Sequence, residues 1–194
     1  TTLFRSENRI SENPGLKRDL NVELSRLEND VELALYYARS EQIYRDYLIQ
    51  KLNFRKVLLK VVNKNRTVIM NSSVAIDLDC DEALYAYGDE KWLVFMLTQV
   101  LLNAIKYKAE ADAKVVMRAK RDNKRIVLNI IDNGKGIKKE ELPRIFDKGF
   151  TGSNGRDNEK STGMGLYLVH KLCEKLEIDI KADSVYGEFT EISF

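Results

Sequence analysis

The sequence predicts an α/β fold, a two-layer sandwich with a mixed sheet in one layer and three helices in the other, preceded by a long separate helix. Three observations predict it. Residues 92–107, WLVFMLTQVLLNAIKY, are apolar nearly all round, which marks a helix buried in a core. The run RIVLNII at residues 125–131 is rich in β-formers and ends on a lone carboxylate, Asp132. Near the start, Leu20, Leu24, Leu27, Val31, Ala34 and Ala38 recur at spacings of four and three, a heptad seam set among Glu23, Arg26, Glu28, Asn29 and Asp30.

In chain order, Asn13, Pro14 and Gly15 read as a helix break, which leaves residues 1–12 as a lead-in or the remnant of an earlier helix. The seam predicts a helix over residues 16–39, and a boundary at 44/45 separates this helical segment from a domain over 45–194. Strands are expected near residues 46–52, 68–78, 114–121, 125–131, 178–182 and 188–194, and helices over 53–64, 89–108 and 165–176. Asp89 is placed to cap the second of these helices, with Glu90 in the first turn where a negative charge is favoured. A chain of 194 residues with 44% hydrophobic content has enough core for one such domain plus the helical segment.

Composition excludes some functions. With 32 basic and 30 acidic residues the net charge is +2, so there is no electrostatic case for a nucleic-acid partner. Cys80 and Cys173 lack metal-ligand spacing, and so few cysteines suit a reducing cytoplasm. No apolar run approaches a membrane span and no signal peptide is visible. Any membrane anchor is therefore expected upstream of this sequence.

Three strings point to a nucleotide site. In IDNGKGI, residues 131–137, Asp132 stands at a strand end where a carboxylate accepts a hydrogen bond from an exocyclic amine. Adenine offers that amine, whereas guanine would set a carbonyl oxygen against the same acceptor at a cost of roughly 1 to 3 kcal/mol. Gly134 and Gly136 allow positive φ and close backbone approach, and in STGMGL, residues 161–166, Gly163 and Gly165 stand where a helix begins. The unpaired N–H groups of such a helix start favour a phosphate. Either glycine pair alone is equally an ordinary turn. On the buried helix, Asn103 lies four residues after Gln99, and Lys106 and Tyr107 lie three and four after Asn103, along one face. The amide oxygen of Asn103 is a hard ligand suited to Mg²⁺, while Lys106 also fits a solvent-facing stripe.

With these residues in view, the chain resembles the ATP-binding catalytic domain of bacterial sensor histidine kinases, a branch of the Bergerat-fold ATPases. QVLLNAIKY resembles the family's N box, DNGKGI its first glycine box, FDKGF its F box and STGMGLYL its second glycine box, in the family's order. KWL, NAIKY and GFTGSNGR resemble a narrower group, the small-membrane-domain kinases of Gram-positive bacteria that respond to peptide antibiotics with a partner transporter. The resemblance implies ATP and Mg²⁺ as cofactors, with Asn103 on Mg²⁺, Lys106 on phosphate, Tyr107 packed on adenine and Asp132 on its amine. It also implies that Ile137, Thr162, Gly163, Met164, Gly165 and Leu166 join Gly134 and Gly136 around the nucleotide, with Thr190 beside Asp132. Without a ligand, Tyr107 would simply cap the core, Thr190 is a good strand residue, and Phe146 and Phe150 are plain apolar anchors for the loop after them.

That loop, TGSNGRDNEKST over residues 151–162, has no aliphatic side chain and reads as a lid, in which Arg156 and Lys160 neutralise phosphate charge; a solvated surface loop is the competing account. Where hydrolytic Bergerat-fold enzymes carry a glutamate one turn before the metal asparagine, this chain has Gln99, and an amide takes no proton from water. The sole histidine, His170, follows the second glycine box, with no carboxylate beside it in sequence, and reads as a surface structural residue. By resemblance, the phosphorylated histidine belongs to an upstream helix, and residues 1–44 are a partial dimerisation segment without it. The implied protein is a homodimer, the cytoplasmic part of a membrane-anchored kinase that passes phosphate on to a response regulator. Two other readings remain, a hydrolytic ATPase and a nucleotide-binding or dimerisation module without transfer.

Overall fold

A computed structural model describes residues 14–40, 47–123, 125–153 and 162–194. The chain separates into two compact units, Thr1–Ala38 and Arg39–Phe194.

The described part of the first unit is helical, and its helix, α1, spans Pro14–Ser40, ending two residues past the unit's boundary. Pro14 is the first described residue of this helix, two positions before the expected start at 16, and Asn13 with residues 1–12 falls outside the described residues. Proline is tolerated there because a first-turn N–H has no helical acceptor to lose and φ is already set near the helical value. The seam residues Leu20, Leu24, Leu27 and Val31 are exposed, joined by Leu35, so the heptad face of this helix is open to solvent.

The second unit begins with β1, Gln50–Asn53, which pairs antiparallel with β3, Tyr85–Gly88, as a separate two-stranded ribbon. Between them lie α2 (Phe54–Lys64), α3 (Arg66–Ser72) and β2 (Ala75–Cys80); after them come α4 (Glu90–Lys106), β4 (Lys114–Asp122), β5 (Arg125–Asp132), a 3-10 turn at Leu142–Arg144, α5 (Gly165–Lys175), β6 (Lys181–Val185) and β7 (Phe189–Ser193). The main sheet runs β2-β4-β5-β7-β6, with β2 parallel to β4 and every other neighbour antiparallel. The period-2 alternation of strands sends Val115, Met117, Ala119, Leu128 and Ile130 to one face. There α2 and α4 cover the sheet and α5 packs on α4.

As its composition predicts, α4 is the core helix. All of residues 94–101 are buried, and Trp92 and Phe95 have no exposed surface. Truncating either aromatic ring would cost roughly 3–5 kcal/mol. Asp89 caps this helix, accepting from the Trp92 N–H at 3.1 Å, and its other oxygen accepts from the Leu48 N–H at 2.7 Å. Asn53 caps α2 by accepting from the Lys56 N–H at 2.9 Å. Cys173 lies against the Met96 sulfur, and burial pushes its thiol up to about 12, which leaves it passive as expected.

Three expectations need correction. Residues 68–78 are not one strand: α3 occupies the first half, and only Ala75–Cys80 pairs in the sheet. The β-branched run TVI is overridden because the Asn65 carbonyl accepts from the Ile69 N–H at 3.0 Å and continues the helical path out of α2, until Ser73 turns left-handed at φ 55°. The strand expected at 178–182 starts later, at Lys181, because Ile178 donates back to Cys173 O at 2.9 Å and Glu177 takes φ 54° to end α5. The first expected strand belongs to the ribbon with β3, an element that was not anticipated, and α3 is a fourth helix in this unit.

Candidate functional site

Asp132 is the last residue of β5, where the alternation turns its side chain to the helix-covered face, and it is 8% exposed. One carboxylate oxygen accepts from the Gly134 N–H at 2.9 Å. Burial raises its pKa from the usual carboxylate value to about 6, against the lowering effect of that hydrogen bond. Across the sheet Asp132 stands opposite Thr190 of β7, as the resemblance implies, and Thr190 in turn opposite Ser184 of β6. Directly opposed residues share a face, so the three side chains form one polar row.

The DNGKGI loop is fixed over that row by backbone contacts. Lys135 donates to Tyr107 O at 2.9 Å and accepts from the Gly187 N–H at 2.8 Å, and Ile137 donates to the Ser184 hydroxyl at 2.8 Å. A Cβ on Gly134 would collide with Tyr107 O, and one on Gly136 would lie 2.8 Å from the Tyr186 Cα. Gly136 has φ +61°, whereas Gly134 does not take positive φ, so close approach alone requires glycine at position 134. Tyr107 follows α4 as its C-cap, with the Lys106 ammonium 5.3 Å above its ring. Lys106 is exposed, as the solvent-stripe account also has it.

The second glycine box closes the opposite side. Gly163 takes φ +64°, its carbonyl accepts from the Gly149 N–H at 3.1 Å, and an added Cβ would lie 2.7 Å from the Phe150 backbone nitrogen and oxygen. The α5 helix starts at Gly165 with Met164 as a cap that offers no side-chain bond, and Met164 N–H meets the Thr162 hydroxyl at 3.4 Å. Leu166 follows in its half-buried first turn. A Cβ on Gly165 would stand 3.1 Å from Gln99 Oε1, which brings the buried helix to the start of α5. Gln99 is 8% exposed, and its Nε2 has no hydrogen-bond partner among the described residues. An orphaned buried donor is costly, so this amide is set to meet an acceptor that binds there. Asn103, one turn on, is half-buried.

This donor set fits a nucleotide: a buried acceptor for an amine, an orphan amide, a backbone crevice without Cβ atoms, and a helix start for anions. For a cation the site offers the neutral Asn103 oxygen, and no cluster of three or more His, Cys, Asp or Glu forms a metal cage among the described residues. Such a cation would take its other ligands from phosphates and water. Arg156, Lys160 and most of the expected lid lie outside the described residues. At its near edge Ser153 donates from backbone and hydroxyl to Glu141, at 2.8 and 3.1 Å, and Arg144 lies 4.7 Å over the Phe150 ring.

His170 is not a bare surface residue. Its ring stacks on Phe146 at 5.1 Å, and Nδ1 lies 3.7 Å from the Glu174 carboxylate. The i,i+4 spacing of a helix supplies the carboxylate that adjacent positions lack. Phe146 is thus a ring partner as well as an anchor. Glu141 and Ser184 were not singled out from the sequence. Both act through pairings distant in the chain, and only the turn glycine Gly187 near Ser184 gives a local signal.

Known proteins resemble this chain in sequence and in fold. Over 178 residues the chain is 34% identical to the sensor histidine kinase GraS of Staphylococcus epidermidis, covering 92% of this chain and 51% of that protein. It is 31% identical over 175 residues to the sensor histidine kinase YxdK of Bacillus subtilis, covering 90% and 54%. The chain therefore spans about half the length of the curated relatives it matches. In fold it is similar to the Acinetobacter baumannii histidine kinase AdeS, with a TM-score of 0.67 at 19% identity, covering 100% of this chain and 93% of that one. Residues 88–194, which hold Asn103, Asp132 and both glycine boxes, match the family described as histidine kinase-, DNA gyrase B- and HSP90-like ATPase, and the chain belongs to that family.

Proposed function

We propose that residues 45–194 are the ATP-binding catalytic domain of a two-component sensor histidine kinase, and that residues 1–44 contribute a dimerisation helix. The observation that carries the reading is the buried Asp132 carboxylate facing a crevice whose walls are backbone at Gly134, Gly136 and Gly163. Asp132 accepts from the adenine amine with Thr190 beside it, Tyr107 packs on the base, and Lys106 and the start of α5 receive the phosphates. Mg²⁺, when bound to Asn103 and the phosphates, supplies charge neutralisation during transfer. Gln99 favours transfer over hydrolysis, because an amide cannot deprotonate water.

The phosphoryl acceptor is a histidine on an upstream helix, the first helix of a hairpin to which α1 supplies the second. The exposed heptad face of α1 supports a homodimer, since a contiguous apolar stripe on a helix marks a contact surface. A response regulator as recipient is supported by the likeness to the sensor histidine kinase GraS, and a membrane anchor with this domain on the cytoplasmic side and a transporter partner of the peptide-antibiotic kind complete the proposal on the resemblance carried by KWL, NAIKY and GFTGSNGR.

Thermal shift with ATP, ADP and GTP tests the nucleotide assignment. ATP and ADP should raise Tm with the logarithm of ligand over Kd while GTP does not. Equal stabilisation by GTP would remove the adenine assignment. Asn103→Ala should abolish the gain that Mg²⁺ gives to ATP binding and leave metal-free binding of the base nearly intact. An unchanged Mg²⁺ response takes Asn103 out of the metal shell. Gln99→Glu should raise the slow background ATPase by placing a proton acceptor one turn from Asn103. The same rate in both proteins would place the attacking water elsewhere.

His170 is held by Phe146 and Glu174 and is not available for in-line attack, which needs the nitrogen about 3 to 3.5 Å from phosphorus. The chain alone should therefore take up no acid-labile phosphate from labelled ATP. It should phosphorylate an added hairpin that bears the acceptor histidine, and His170→Ala should leave that rate unchanged. Label on the isolated chain that disappears with His170→Ala contradicts this assignment.

A further inference from the structure

We propose that Ser184 determines base specificity by fixing the direction of the Thr190 hydroxyl, so that Thr190 and Asp132 together present only acceptors to the base. This rests on Asp132 being the adenine contact, and it assigns a role to a residue that touches no ligand in that reading.

The Ser184 hydroxyl has one hydrogen and two lone pairs. It lies 2.6 Å from Phe189 O, and a carbonyl only accepts, so the single hydrogen is spent there. The Ile137 N–H points at the same oxygen from 2.8 Å and fills one lone pair. Thr190 Oγ1, 3.4 Å away, then meets an oxygen that has only a lone pair left, and Thr190 must donate. Its own hydrogen is thereby turned towards β6, leaving lone pairs on the side of Asp132. The register places the three residues in one row across β6, β7 and β5, Ser184 opposite Thr190 and Thr190 opposite Asp132.

The same two side chains at the ends of the row hold the loop that roofs it. Asp132 takes the Gly134 N–H and Ser184 takes the Ile137 N–H, three residues apart in the chain. The loop's position and the row's polarity are thus set by the same hydroxyl. An all-acceptor row welcomes an amine and opposes the carbonyl that guanine offers at that position. A Thr190 hydroxyl free to rotate could donate to that carbonyl and relieve the opposition.

Ser184→Ala removes the lone pair that receives the Thr190 hydrogen. Dissociation constants for ADP and GDP, measured calorimetrically on wild type, Ser184→Ala, Ser184→Thr, Thr190→Val and Asp132→Asn, test the inference. In Ser184→Ala the preference for ADP over GDP should fall about fivefold, the worth of one net hydrogen bond, chiefly through tighter GDP binding. Ser184→Thr, which keeps the hydroxyl, should restore the wild-type ratio. A merely structural role would weaken both nucleotides alike, and an unchanged ratio in Ser184→Ala overturns the proposal. If Ser184→Ala fails to fold, Thr190→Val, which deletes the hydroxyl itself, must change the ratio or the proposal falls. Wild type without any ADP preference would instead overturn the Asp132 assignment, whereas a preference lost in Asp132→Asn and kept in Ser184→Ala overturns only the role of Ser184.

Discussion

Gly136→Ala and Gly163→Ala should each abolish measurable nucleotide binding and lower the Tm of the domain by about 10 °C. Both glycines have left-handed φ, +61° and +64°, where a side chain costs about 1–2 kcal/mol. In both, the added methyl also meets backbone rather than a yielding side chain: Tyr186 Cα at 2.8 Å for Gly136, and the Phe150 nitrogen and oxygen at 2.7 Å for Gly163. Overpacking adds roughly 1–3 kcal/mol, and a loss of about 3 kcal/mol in a domain of this size gives the stated shift. Gly187→Ala is the control. It too is left-handed, at φ +84°, but nothing lies within 4 Å of its added Cβ, so it should cost only about 1 kcal/mol and keep binding. If Gly136→Ala bound ADP as the wild type does, the crevice would not be the nucleotide site.

That contrast also marks what a sequence makes visible. Gly136 and Gly163 were identifiable because their strings are local and their spacing distinctive, and the core helix because ten of its consecutive side chains from Trp92 to Leu101 include only Thr98 and Gln99 as polar groups. The strands β4 and β5 fell where their β-forming runs ended, and Asp132 was legible as the carboxylate at the end of one of them. Local pattern failed where a neighbour decides the outcome. The run after Asn65 became helix because α2 leads into it, and β1 left the main sheet because β3 offered it a partner 32 or more residues away. Ser184 was invisible for the same reason. Its meaning lies in Ile137 and Phe189, one of which is brought to it only by the sheet. The orphaned Nε2 of Gln99 likewise shows only once burial and partners are known, although the place of Gln99 one turn before Asn103 is legible in the sequence.

Asp132→Asn should stabilise the nucleotide-free domain at pH 8 while weakening ADP binding by roughly ten- to a hundredfold, the worth of a hydrogen bond to a charged group. The opposite signs follow from one pKa. Burial raises the Asp132 carboxyl from 3.8 in the unfolded chain to about 6 in the folded one. Between those values the folded state holds the extra proton, so the group's stabilising contribution is complete below about pH 4 and is lost as pH rises through 6. A shift of this size amounts to about 3 kcal/mol forgone at pH 8, and Asn, which keeps an oxygen for the Gly134 N–H but cannot ionise, recovers most of it. Binding has the reverse requirement. The adenine amine needs the ionised acceptor, so ADP affinity in the wild type should be flat above pH 7 and fall about tenfold per unit below 6, whereas the Asn variant should be weak and insensitive across that range. Calorimetric titration of ADP at pH 5, 6, 7 and 8, with Tm of the free proteins at each, separates the two effects. A wild-type affinity independent of pH down to 5 would mean that Asp132 does not accept from the base, whatever its burial costs the fold.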